Sequence, residues 1–293
     1  MTLLLWWVTC LIWGSVWLFI KLGLRDLPPV SFAASRLVVA LAVFLPLLAI
    51  RRVPLPREAR DWYVIGVAGF FLLGVNYALL YWGAQFIPSG LTAVLGGLTP
   101  AFALVFGHFL LDDEPFTLKA LGAIALGVAG VAIISRDQLH VDGRQAVLGC
   151  AAVTLSGAAV GFAYVFVKAR GGRRLRPEVI TCGQMACAVG PMLAFATVRE
   201  GNPLQLHWTP VAIGCLLYLA LVGSVAGTWL NYWLLERMSA TALLSMGLVE
   251  PLIAVLLGAA FLHERVTASA AAGGVLVLGS IFMITISFQR SRT

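Results

Sequence analysis

Asn76-Tyr77-Ala78-Leu79-Leu80 in the first half of the chain and Asn231-Tyr232-Trp233-Leu234-Leu235 in the second hold Asn, Tyr and two Leu at the same spacing. Outward from these stretches the match continues. Gly96, Pro100, Ala103, Gly107 and Leu111 are spaced as Gly247, Pro251, Ala254, Gly258 and Leu262 are, and each set closes on an acid, Asp113 or Glu264. A pattern written twice is an internal repeat. Each copy contains five apolar stretches, and a unit with an odd number of crossings enters a bilayer from opposite sides in its two copies. Inverted repeats of this kind build the midplane site of many secondary transporters and expose it to each face in turn.

Composition sets the class. Hydrophobic residues make up 60% of the chain and charged residues 11%, against about 25% charged in a soluble domain. Stretches of the roughly 20 apolar residues that cross a hydrocarbon core fall at 3–24, 30–50, 62–84, 89–111, 116–135, 146–168, 178–198, 210–234, 240–262 and 267–288. Lipid cannot satisfy backbone polar groups, so these runs are helices and not isolated strands. The expectation is an all-α membrane protein with ten transmembrane helices in two inverted five-helix repeats, residues 1–135 and 146–293, and no soluble domain. The first apolar run has no basic residue before it and no small-residue cleavage site after it, which reads as a retained helix and not a leader. Cys10, Cys150, Cys182, Cys187 and Cys215 all fall within predicted spans and form no CxxC pair; they read as small packing residues.

The net charge of +7 raises nucleic acid as a partner, but its distribution follows membrane topology. Arg51, Arg52, Arg57 and Arg60 lie between spans two and three, and Lys168, Arg170, Arg173, Arg174 and Arg176 between spans six and seven. Basic loops stay in the cytoplasm. Both termini are therefore expected inside, with the polar connector 135–145 outside. No nucleic-acid partner is expected.

Trp13-Gly14-Ser15 leading to Lys21, Pro100 followed by Asp113-Glu114, Glu250-Pro251, and His263-Glu264-Arg265 resemble the drug/metabolite transporter superfamily, EamA type. The resemblance covers nearly the whole chain and implies ten helices in two five-helix repeats. Among the branches it is most similar to bacterial exporters of aromatic amino acids and related metabolites.

The residues themselves outline a site. Pro100 and Pro251 stand near the centres of spans four and nine, where proline removes a hydrogen bond and kinks the helix. The freed carbonyls belong to Gly96 and Gly247, so these four residues form the expected flexing pair. Ionisable residues within a bilayer are functional candidates by default. Glu250 is the one acid placed near a span centre; it can attract a substrate amine, cycle a proton, or brace the broken backbone beside Pro251. Arg36 has two readings, a partner for a substrate carboxylate or a side chain snorkelling to the surface, and the second is the simpler. His108 reads as interfacial. Trp6, Trp7, Trp62, Trp82, Trp208 and Trp233 fall toward span ends, where an aromatic belt is expected. Trp13 and Trp17 share a face near mid-depth, as do Tyr77 and Tyr81, with Tyr164 on span six. Asn76 and Asn231 are amides that must find partners in lipid. Gly157 with Gly161, Gly223 with Gly227, and the glycines of spans five and ten read as close-packing faces.

The chain lacks a nucleotide-binding glycine loop, an HExxH and a Ser/His/Asp constellation, so no enzyme is expected. No cofactor or metal is expected either, since Asp112-Asp113-Glu114 reads as a solvated loop. Few polar residues line the spans, which argues against a channel; a purely structural membrane protein remains an alternative. The resulting expectation is a monomeric carrier of the bacterial inner membrane, embedded in lipid, that exports amino acids and related small metabolites. Its substrate contacts would be Trp13, Trp17, Asn76, Tyr77, Tyr81, Thr99, Tyr164, Trp229, Asn231, Ser245 and Glu250. Export of drugs or other metabolites is the alternative.

Overall fold

The computed structural model describes residues 1–83, 86–87, 89–112, 116–134, 143–171, 174–250, 252–253 and 268–290. Of these, the side chains of Trp17, Lys21, Tyr81, Ser89, Gly90, Ala93, Leu204, Ala270 and 285–290 are left aside. Pro251, the acids Asp113 and Glu114, and most of the 135–145 connector lie outside the described residues.

All regular structure among the described residues is helical. The rods are α1 (Thr2–Gly23), α2 (Pro29–Ile50) and α3 (Ala59–Gly69, continued by Phe70–Val75 and Asn76–Gly83). They are followed by α4 (Ser89–Gly96, then Thr99–Leu110), α5 (Leu118–Ile134), α6 (Gly143–Arg170) and α7 (Pro177–Glu200). The chain then builds α8 (Pro210–Tyr218, continued by Leu219–Gly227 and Thr228–Leu235), α9 (Ala240–Leu244, helical again over 246–250) and α10 (Ala268–Arg290). Six helical stretches are long and apolar enough to cross a membrane: Thr2–Ile20, Pro29–Ile50, Ala59–Leu80, Gly143–Arg170, Pro177–Glu200 and Pro210–Leu235. Val94–Leu110, Leu118–Ile134, Ala240–Glu250 and Ala271–Ile284 are shorter apolar helices.

Local chemistry sets the ends. α2 and α7 each open on a proline, whose fixed φ suits the first helical turn and whose missing N–H is no loss there. α8 and α9 are capped by Thr209 and Ser239, whose hydroxyls each accept a backbone N–H three residues on, at 3.1 Å. α7 stops at Gly201, with φ +90°, a conformation glycine adopts at no steric cost.

Two interior features depart from uniform helices. Phe70–Val75 in α3 and Leu219–Gly227 in α8 are π-helical, and both run toward the repeated Asn. α4 is interrupted at Gly97-Leu98, so Pro100 lies in the first turn of a second piece and does not bend one continuous helix. Two consecutive glycines ahead of a proline make a break cheaper than a kink.

The rods meet in a definite order. α5 and α10 form the most extensive pairing, backbone against backbone. A Cβ on Gly130 would stand 2.7 Å from the Gly273 carbonyl, and one on Gly273 2.5 Å from that of Gly130. Ser280 Oγ donates to the Ala123 carbonyl across the same seam at 2.6 Å. α2 and α7 pack antiparallel: the backbone N–H groups of Val30 and Ser31, at the start of α2, donate to the Glu200 carboxylate at the end of α7. On that face Thr209 Oγ1 also donates to Asp26. On the opposite face Arg174 pairs with Glu58 and Asp61, and Lys168 Nζ donates to the Met238 carbonyl. The two basic loops, 2–3 and 6–7, therefore lie together on one side of the bundle.

The α5–α10 seam gives a direct stability test. Gly130→Ala should lower the thermal midpoint in detergent, with a cost of about 1–3 kcal/mol for overpacking against backbone. Gly122→Ala has open space around its Cβ and should be neutral or slightly stabilising through helix propensity. Equal midpoints for the two variants would show that the seam is looser than described.

Candidate functional site

The repeated asparagines lead into the bundle core, where their roles diverge. Asn231 on α8 donates through Nδ2 to the Tyr164 hydroxyl on α6, at 3.0 Å. Tyr164 stacks on Tyr232, with centroids 5.2 Å apart and planes 29° from parallel. Tyr232 in turn donates to Gln184 Oε1 on α7, at 2.8 Å. Tyr77 on α3 is close enough to Tyr164 to interact electrostatically. α3, α6, α7 and α8 thus converge on one buried polar cluster. It is incompletely satisfied: among the described residues, Asn231 Oδ1 and Gln184 Nε2 are buried without a hydrogen-bond partner. Groups of that kind are costly unless water or a ligand meets them. Asn76, by contrast, donates to the Leu72 carbonyl of its own helix at 3.0 Å.

The remaining predicted contacts lie around this cluster. Thr99 sits at the α4 break, its Oγ1 where a Cβ on Gly157 of α6 would be only 2.9 Å away. Gly161, one turn on, meets Phe102 and Ala103 in the same way. Gly247 of α9 looks toward α4: a Cβ on it would lie 4.0 Å from the Gly96 carbonyl oxygen, while a Cβ on Gly96 would meet nothing within 4 Å. Ser245 is buried at the interruption of α9 and donates to the Ala242 carbonyl at 2.7 Å. Trp229 is half-buried between two apolar clusters. Glu250 is half-buried on α9 and within electrostatic reach of Cys10 on α1; one turn further on, Gly14 abuts Ile253. Trp13 packs on α8, where its indole Nε1 lies near Gly227. Trp17 and Tyr81 contribute side chains outside those described.

Two sequence readings are corrected. Trp6 does not belong to an interfacial belt: it is 1% exposed, and its Nε1 donates to the carbonyls of Ala242 and Leu243. These carbonyls, at the short first piece of α9, accept the indole N–H in addition to bonds from Ser245, and a buried indole N–H requires such a partner. Arg36 does not snorkel. It is 8% exposed, and its Nε donates to Ser224 Oγ in the π-helical part of α8, at 2.6 Å. Trp62 and Trp82, in contrast, are exposed as belt residues are.

Gln184 was overlooked in the sequence, although a signal for it exists. α2 opens on Pro29 and α7 on Pro177; Arg36 and Gln184 are the eighth residues of their helices. They contact opposite halves of the chain. A Cβ on Gly223 of α8 would lie 3.0 Å from Arg36 Nη2, and one on Gly69 of α3 3.1 Å from the Gln184 Cα. Gly69 stands seven residues before Asn76, and Gly223 eight before Asn231.

Comparisons with known proteins agree with this architecture. A solved crystal structure that is 17% identical superposes with a TM-score of 0.81, covering 100% of this chain and 99% of that one. Bacillus subtilis (strain 168) "Uncharacterized transporter YoaV" is 29% identical over 286 residues, 96% of each chain. Escherichia coli (strain K12) "Uncharacterized inner membrane transporter YedA" is 28% identical over 250 residues, 85% of this chain and 78% of its own. The "Probable amino-acid metabolite efflux pump" of the same E. coli strain is 24% identical over 279 residues, 93% and 90% of the two chains. The EamA-like transporter family matches twice, over residues 1–136 and 147–286. With apolar rods throughout, a buried polar cluster at their convergence and two successive family matches, this chain belongs to the EamA-like transporter family and is an integral membrane protein.

Proposed function

We propose that this protein is a carrier, and not an enzyme, that exports amino acids and related small metabolites across the bacterial inner membrane by alternating access, aromatic and other apolar amino acids foremost. It acts as a monomer of ten transmembrane helices in two inverted five-helix repeats, 1–135 and 146–293. The observation that carries this reading is the crossed contact of the halves. Arg36 rests on Gly223, Gln184 on Gly69, and Gly247 looks toward the Gly96 carbonyl. Corresponding helices α2 and α7 run antiparallel, as an inverted repeat requires. The name of the 24% identical E. coli relative supports amino acids as substrates. So do the rings of Trp13, Trp17, Tyr77, Tyr81, Tyr164 and Trp229, which suit apolar side chains. Asn76, Asn231, Thr99 and Ser245 supply hydrogen bonds, Glu250 meets the substrate amine, and the breaks beside Gly96-Pro100 and Gly247-Pro251 let α4 and α9 flex. The second reading, export of drugs or other metabolites, draws on the YoaV and YedA relatives, whose names specify no substrate.

Proteoliposomes loaded with labelled amino acids should show saturable efflux, fastest for aromatic and branched aliphatic ones. Non-saturable flux would indicate a channel, and flux confined to other metabolites would favour the second reading. Single cysteines in a thiol-free background test topology. One in connector 135–145 should react with an impermeant reagent on intact cells, while one beside Arg174 should not; the reverse would invert the assignment. Glu250→Gln, at matched expression, should lower amino-acid efflux at least about tenfold, the size of one lost charge-assisted contact. An unchanged rate and pH profile would remove Glu250 from the site.

A further inference from the structure

Arg36 is a charged side chain inside the helix bundle. Arginine keeps its charge in apolar surroundings, and a buried charge is stable only when paired and hydrogen-bonded. Among the described residues its side chain makes one hydrogen bond, from Nε to Ser224 Oγ. Among the described residues, no carboxylate stands within ion-pair distance of its guanidinium. The terminal nitrogens reach α8 at Gly223, where Nη2 lies 3.0 Å from the position a Cβ would take.

One turn along the same face of α8, Gly227 is approached as closely. A Cβ there would lie 3.6 Å from Trp13 Nε1 and 3.1 Å from Ile12. That indole N–H is buried and, among the described residues, has no acceptor. The junction of α1, α2 and α8 therefore gathers hydrogen-bond donors that, among the described residues, outnumber their acceptors. Two glycines let these side chains close on α8, with Val16 of α1 3.2 Å from the position a Cβ on Gly223 would take. The backbone there is π-helical over Leu219–Gly227, a geometry frequent at functional sites.

We infer that this donor pair is the site for the carboxylate of the transported solute, held by Arg36 and by the Trp13 indole N–H against Gly223 and Gly227. Arginine's planar fork matches a carboxylate, and charge-assisted bonds of this kind are the strong ones. Ser224 fixes the fork by accepting from Nε, which leaves the Nη groups for the ligand. Glu250 lies beyond Cys10, one turn along α1 from Trp13. The carboxylate and amine ends of an amino acid would thus meet opposite charges along one stretch of α1. This assignment deepens the amino-acid reading and rests on it for the identity of the solute.

The test is direct binding to purified protein in detergent, read as a thermal shift with three probes: phenylalanine, 3-phenylpropionate and phenylalaninamide. The wild-type protein should be stabilised by the two carboxylates and much less by the amide. Trp13→Phe keeps the ring and removes the N–H; it should weaken the carboxylates about tenfold while leaving the amide response alone. Arg36→Gln should abolish the distinction between acid and amide, and Arg36→Lys should restore part of it. Amide and carboxylate binding equally to the wild type, or an undiminished preference in both Arg36→Lys and Trp13→Phe, would overturn the assignment even if Arg36→Gln failed to fold. Efflux from proteoliposomes separates the two readings. Amino-acid transport with Arg36-independent binding would sink the carboxylate site alone, and Arg36-dependent binding without transport would sink the carrier reading alone.

Discussion

A backbone that crosses hydrocarbon has no water to replace a lost hydrogen bond, so each departure from regular helix in this fold needs a local remedy. In α3 the remedy is Asn76, whose side-chain amide donates to the Leu72 carbonyl within the π-helical segment. In α4 the break at Gly97-Leu98 is closed by Ala101 and Phe102, whose N–H groups both reach the Leu98 carbonyl. In α9 the Ser245 hydroxyl takes the Ala242 carbonyl, and the Ser245 carbonyl receives the N–H of Leu248. Leu72, Gly97 and Ser245, one at each irregular place, are buried, and irregular backbone at membrane depth is tolerated where protein covers it. The molecule concentrates its polarity there because only there can it be satisfied.

Glycine performs two different tasks in this setting. Between α5 and α10 it removes side chains so that two backbones touch, and the seam is tied by Ser280. On α8 the same small-x3-small spacing leaves space that polar side chains from α1 and α2 enter. A sequence pattern cannot tell these apart, because both need the same absent Cβ. The difference lies in the neighbour: Gly273 faces Gly130, whereas Gly223 and Gly227 face Arg36 and Trp13.

The all-helical, membrane-embedded architecture was legible because it follows from the length and spacing of apolar runs, and the duplicated Asn-Tyr pair pointed to the residues of the core. Tyr164 and Asn231, nominated separately, do meet. What escaped was depth and partner. Trp6 and Arg36 stand at positions where surface residues are usual, and only the packing of α9 and α8 against them shows that they turn inward. Gln184 escaped for the opposite reason: a lone amide in an apolar run looks like packing until its bond to Tyr232 is seen. The shared spacing from Pro29 to Arg36 and from Pro177 to Gln184 was the available clue.

The same spacing leads to a last point about asymmetry. On the inverted-repeat reading, the eighth positions of α2 and α7 are equivalent, yet one is a cation and the other a neutral amide. A scaffold whose halves exchange conformations works best when the halves are nearly alike, since then neither facing is strongly preferred. On the proposed amino-acid reading the solute has no such symmetry: it carries opposite charges at one end and an apolar side chain at the other. Discrimination must therefore come from positions at which the repeats differ. Arg36 against Gln184 is such a difference at bundle depth, and so is Glu250 against Thr99, the residue before the proline in each copy. Between them, on that reading, they set one positive and one negative group on a framework whose repeated positions are otherwise matched in type. That is the least departure from symmetry able to orient a zwitterion.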